Sequence, residues 1–186
     1  LAARGRLLLK MKKYHEAMEC FTFVLERDKD DSTAWRDKGL AHLALKEYPE
    51  ALECFEEALL LRPDDFEAIL GKADVLYAQA SYNSSCQSYA LALQIEPDDL
   101  HALLGRGRCA LLLNDIPAAL ASFEAALFRD PRNSAALVGR ADGLLRMNRT
   151  KDALASYDLA LLLDPQSSAA WTGRGDALLA EKDAAG

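Results

Sequence analysis

Four prolines, Pro63, Pro97, Pro131 and Pro165, stand 34 residues apart, and the residues around them recur with the same period. A period of this length marks a chain built by stacking one supersecondary unit many times. Eight residues before each proline is an aromatic, Phe55, Tyr89, Phe123 or Tyr157, and Phe21 stands in the same phase. Four before each aromatic is a small residue: Ala17, Ala51, Ser85, Ala119 and Ala153. Upstream, Trp35, Ile69, Leu103, Leu137 and Trp171 are each followed four residues later by Gly or Ala. Full units occupy 32–65, 66–99, 100–133 and 134–167, with partial units at 1–31 and 168–186. The whole chain is expected to be one domain, with no segment left for a second.

Both blocks of each unit read as helix, because apolar residues recur at three and four with Ala, Leu, Glu and Arg between them. Asp31, Asp65, Asp99, Asn133 and Ser167 share one phase, and all are types whose side-chain oxygen caps a helix start. Pro49 and Pro117 open second helices, where a missing amide is harmless. The Pro63-type prolines end them. Small residues on one helix let its neighbour approach, and the aromatic fills the space so created. A single pair cannot bury such a face, so pairs stack on one another. The turn Ser81-Tyr82-Asn83-Ser84-Ser85 holds poor helix formers and is expected to be the most mobile joint.

This arrangement resembles the tetratricopeptide repeat (TPR) family across essentially the whole chain. The unit from Ser32 to Asp65 carries the family's signature most clearly, in Trp35, Gly39, Ala51, Phe55, Ala58 and Pro63. The resemblance implies an all-α fold, a right-handed α-solenoid of stacked antiparallel helix pairs. It also implies a concave groove, lined by the first helix of each pair, that holds a peptide from a partner. Carried onto this chain, the groove lining comprises Arg6, Lys10, Arg36, Leu40, Leu70, Asp74, Tyr77, His101, Leu104, Arg108, Leu111, Val138, Asp142, Arg146 and Asp176. Gly71, Gly105, Gly139 and Gly173 are expected to leave its floor open to a ligand backbone. Such a lining suits a protein or peptide segment with apolar anchors and charges of both signs. The Lys and Asn residues of a carboxylate clamp for chaperone tails are replaced by Arg36, Leu40, Gly105, Ala135 and Gly139.

Other classes are disfavoured. Lys plus Arg is 22 against 29 Asp plus Glu, a net charge of −7, which opposes nucleic acid and anionic membranes. The longest apolar runs fall far short of a membrane span, so no insertion is expected. Cys20, Cys54, Cys86 and Cys109 lack metal-ligand spacing with His15, His42 or His101, and no metal or cofactor is expected. They read as thiols in a reducing, cytoplasmic setting. Gly105-Arg106-Gly107-Arg108-Cys109-Ala110 mimics a dinucleotide fingerprint, but its glycines belong to the helical repeat. No residue is placed as a catalytic group. The ladder Arg4, Lys38, Lys72, Arg106, Arg140 and Arg174 reads as stems packed between helices with heads on acidic neighbours. The sequence begins with Leu1 rather than Met and so reads as a piece of something longer. Its last helix keeps Trp171, Leu178 and Leu179 with nothing following to cover them. Self-association into a homo-oligomer through such ends, and service as a regulatory region of a larger enzyme, are therefore the alternatives to a plain interaction module.

Overall fold

The computed structural model describes residues 1–183, and among them are eleven α-helices and no strand. They are α1 (Ala2–Lys10), α2 (Tyr14–Leu25), α3 (Ser32–Ala44), α4 (Tyr48–Leu61), α5 (Phe66–Ala78) and α6 (Tyr82–Ile95). There follow α7 (Leu100–Leu112), α8 (Ile116–Arg129), α9 (Ser134–Arg146), α10 (Thr150–Leu163) and α11 (Ser168–Asp183). Successive helices pack as hairpins, α1 with α2 through α9 with α10. Contacts group the chain into two compact units, Leu1–Glu96 and Pro97–Gly186. Within the first, α3 also packs on α2 and α5, and α4 on α5. Within the second, α9 also packs on α7, α8 and α11, while α11 leans on α9 and α10.

Helix starts follow the capping residues. The side chains of Asp31, Asp65, Asp99, Asn133 and Ser167 accept from the amides of Ala34, Ala68, Ala102, Ala136 and Ala170, at 2.8–3.3 Å. Pro49 and Pro117 sit in the first turns of α4 and α8. Helix ends use a device with the same period. Lys12, Lys46, Ala80, Asn114 and Asn148 all adopt φ between 58° and 62°. At Lys46 this left-handed residue lets the Glu47 amide reach back to the carbonyl of His42 (2.9 Å), closing α3 and turning the chain into α4. The serine-rich segment beginning at Ser81 is helical from Tyr82 onward. Ser85 donates from its hydroxyl to the Ala73 carbonyl at 2.8 Å, and Tyr82 meets Tyr77 edge-on with centroids 5.6 Å apart.

In each unit the core is built around aromatic rings, and Phe21, Phe55, Phe123 and Tyr157 lie against glycines. Phe21, Phe55 and Tyr157 are fully buried, and Tyr89 and Phe123 nearly so. A β-carbon added at Gly39 would come within 2.9 Å of the Phe55 ring, and one at Gly71 would overlap the same ring from the next hairpin. Phe123 lies likewise between Gly107 and Gly139. The expectation of an open glycine floor is therefore corrected at Gly71, Gly139 and Gly173, where the preceding hairpin's ring fills the room the missing side chain leaves.

Candidate functional site

In the first unit the residues expected to line a groove fall on α1, α3 and α5. Arg6 and Lys10 are exposed. Arg36 is engaged in an ion cluster, with Nη2 2.9 Å from Asp37 and Nη1 3.3 Å from Asp65 and 3.0 Å from Glu67. Arg6 approaches Asp37 at 3.9 Å. Burial nevertheless holds the Asp37 carboxyl above its ordinary range, outweighing the hydrogen bond and charge of Arg36. Asp65 also accepts from Arg62 at 3.4 Å while capping α5, so these charges tie α3 to the start of α5. Leu40 packs on the cluster around Phe55. Leu70 is half-buried, and Tyr77 meets Tyr82 edge-on. Asp74 accepts a hydrogen bond from the Tyr89 hydroxyl at 2.5 Å.

In the second unit, four expected residues converge. Arg108 and Leu111 of α7 and Val138 and Asp142 of α9 line a cavity of about 490 Å³. Its remaining walls come from Phe123, Ser134, Ala135, Gly139 and the approach to α11, where Asp164, Ser167 and Ala169 contribute. Its lining thus combines the apolar Leu111, Val138 and Phe123 with the cation of Arg108 and the carboxylates of Asp142 and Asp164. Arg146 stands outside the cavity and donates from Nη1 to the Leu111 carbonyl at 2.6 Å, bracing α9 against α7. His101 and Asp176 are exposed and Leu104 half-buried, and none of the three lines the cavity.

Asp142 has a fixed partner, because the Tyr157 hydroxyl donates to it at 2.5 Å. Burial raises the Asp142 carboxyl above its ordinary range, against the opposing pull of that hydrogen bond and of Arg146. The same burial, with the adjacent carboxylate, pushes the tyrosine hydroxyl well above its usual value. The pair Asp74–Tyr89 repeats this arrangement in the first unit. Where Leu40 and Arg108 replace the aspartate, the ring is phenylalanine, Phe55 or Phe123. Sequence reading missed Ser134, Asp164, Ser167 and Ala169, although the helix-start phase shared by Asn133 and Ser167 already placed that segment beside the first helices.

Elsewhere the ladder cations meet second helices: Lys72 to Glu56 at 2.8 Å, Arg174 to Asp158 at 2.6 Å, and Arg140 to the Ser156 hydroxyl at 2.9 Å. No disulfide joins the four cysteines, and burial lifts the Cys54 thiol to about 11. Among the described residues no three His, Cys, Asp or Glu side chains gather as a metal site would require. Among them, too, no helix is long and apolar enough to cross a membrane.

The tetratricopeptide repeat family model matches this chain over residues 2–59, 46–99, 70–134, 113–160 and 138–186. A search of the curated proteins found no match. Among solved structures the chain is similar to YrrB, described as a TPR protein with an unusual peptide-binding site. That likeness has 21% identity and a TM-score of 0.84, covering 94% of this chain and 90% of that one. It is similar to MamA from Desulfovibrio magneticus RS-1, at 19% identity and TM-score 0.82, covering 89% and 94% respectively. It is also similar to TTC0263, a thermophilic TPR protein of Thermus thermophilus, at 23% identity and TM-score 0.66, covering 96% and 97%.

Proposed function

The chain belongs to the tetratricopeptide repeat family, and from that footing we propose that it is a non-catalytic binding module for a segment of a partner protein. The observation that carries this reading is the cavity of about 490 Å³ bounded by Arg108, Leu111, Val138 and Asp142. Its apolar floor accepts one large side chain, and burial of such a group supplies about 1.5–3 kcal/mol. Arg108, Asp142 and Asp164 in the same lining select a segment bearing both charge signs beside that anchor. YrrB, a peptide-binding TPR protein by its description, has the same fold, which supports the class of ligand. In the first unit Arg36 is already engaged by three carboxylates, so ligand charge is read mainly by Arg6 and Lys10 there. The cysteines stand without a disulfide and suit a reducing compartment such as the cytoplasm.

The test is selection of peptides from a random displayed library on the wild-type chain, followed by titration against Arg108→Glu and Val138→Glu. Selected peptides should carry an apolar residue flanked by charges. Each variant should weaken them by about tenfold or more, the size of one lost charged or apolar anchor contact. Exchanging the acidic residue of the peptide for lysine should restore binding to Arg108→Glu. Peptides indifferent to both variants would remove the site from this cavity.

A further inference from the structure

Three positions in the lining of the second unit's cavity carry side chains shorter than their counterparts in register. Ser134 stands in the register of Phe66 and Leu100. Ala135 and Ala169 stand in the register of Glu67 and His101. Where the start of α5 holds a phenyl ring, the start of α9 thus offers the cavity wall a hydroxymethyl group. The resulting space of about 490 Å³ is far more than an isopropyl group needs. It falls in the range of roughly 300–1,000 Å³ typical of formed ligand sites.

The chemistry of the wall narrows what would fill that space. Leu111 and Phe123 are buried and Val138 half-buried, so they present apolar surface. Arg36 of the first unit is held by three carboxylates, whereas Arg108 is exposed and its planar cation suits the face of an aromatic ring, best of all an indole. Asp142 is half-buried, and its Oδ1 accepts from Tyr157, which does not line the cavity. A carboxylate accepts from more than one donor, so Oδ2 can take a second. A buried indole needs such an acceptor, and in this chain both Trp35 and Trp171 donate their N–H to a carbonyl, at 2.9 and 3.0 Å. An aliphatic anchor would instead cover the carboxylate and the guanidinium without giving either a partner.

We infer that the cavity is a tryptophan pocket: the indole of a partner segment seats on Leu111, Val138 and Phe123, donates its N–H to Asp142 and receives Arg108 over its face. The inference rests on the reading of this cavity as a peptide-binding site and names the residue that anchors the peptide there.

The probes are four displayed libraries of random peptides, identical but for one fixed central residue: tryptophan, tyrosine, phenylalanine or leucine. The tryptophan library should yield the most and the tightest binders on the wild-type chain. In fluorescein-labelled peptides made from them, exchange of the fixed tryptophan for phenylalanine should weaken binding by about tenfold or more, the weight of one hydrogen bond to a carboxylate. That difference should vanish in the chain carrying Asp142→Leu together with Tyr157→Phe, a pairing the protein already uses at Leu40 and Phe55, with circular dichroism unchanged. Ser134→Phe, which supplies the ring that Phe66 holds in register, should weaken the tryptophan peptides by about tenfold or more. Peptides that are lost with Val138→Glu yet emerge equally from the leucine library overturn the tryptophan pocket and leave the peptide-binding reading standing. So does a difference between tryptophan and phenylalanine that persists in the double variant. Binders from all four libraries that are indifferent to Val138→Glu overturn both.

Discussion

One chemical change, Gly to Ala, should have opposite signs at two places in this molecule. In a helix interior the change is worth about 0.5–1 kcal/mol in favour of alanine. At Gly71 the added methyl would overlap the ring of Phe55, which is fully buried. That ring cannot retreat, because a β-carbon at Gly39 on its other side would already lie within 2.9 Å. Forcing a methyl into a closed site costs about 1–3 kcal/mol, so Gly71→Ala should destabilise by about 1–2 kcal/mol net. At Gly175 a β-carbon meets nothing within 4 Å, and Gly175→Ala should stabilise by about 0.5–1 kcal/mol. For a chain of this length each kcal/mol moves the midpoint by about 2–4 °C, so thermal melts followed by circular dichroism separate the two variants readily. Combining Gly71→Ala with Phe55→Leu should recover part of the loss, since the shorter side chain vacates the overlap. A stabilised Gly71→Ala, or a double variant whose losses simply add, would refute the account of ring and glycine as one packing unit.

Phe55→Ala should cost about 3–5 kcal/mol in urea denaturation, as removal of a fully buried ring does. Lys46→Gly should raise the denaturation midpoint, because lysine at φ 62° bears a left-handed strain of about 1–2 kcal/mol that exceeds glycine's extra chain entropy. Tyr157 should make the chain lose stability above about pH 10, where unfolded tyrosine ionises. Its folded hydroxyl is held protonated by burial and Asp142, so its contribution is complete below that pH and is lost as pH rises. Tyr157→Phe should therefore flatten the alkaline limb by up to about 1.4 kcal/mol per pH unit, read from urea midpoints between about pH 9 and 11.

The helix framework was legible because its signals are local. Asp31, Asp65, Asp99, Asn133 and Ser167 each satisfy an amide three residues on, and that contact is fixed as soon as the helix forms. The rings were legible as core because their period matched that of the small residues opposite them. The left-handed positions were hidden, since Lys12, Lys46 and Ala80 are not residue types that favour such backbone. Groove charge was the least readable quantity. Arg36, Asp74 and Asp142 are bound to partners on neighbouring helices 15 or more residues away, where a one-dimensional pattern does not assign them. The glycines misled for a related reason: an empty side chain reads as open space until the ring from the previous hairpin is seen in it.

Phe55 touches Gly39 of its own hairpin and Gly71 of the next, and Phe123 does the same with Gly107 and Gly139. Each ring is thus held in common by two neighbours, and a hairpin that melts strips one wall from a side chain it does not own. Loss of order within either unit should then spread by nearest-neighbour coupling, beginning where the coupling is one-sided. Among the described residues one such place is α11, which borrows Tyr157 through Gly173. Amide protons there should exchange sooner than those of α9, which packs on α7, α8, α10 and α11.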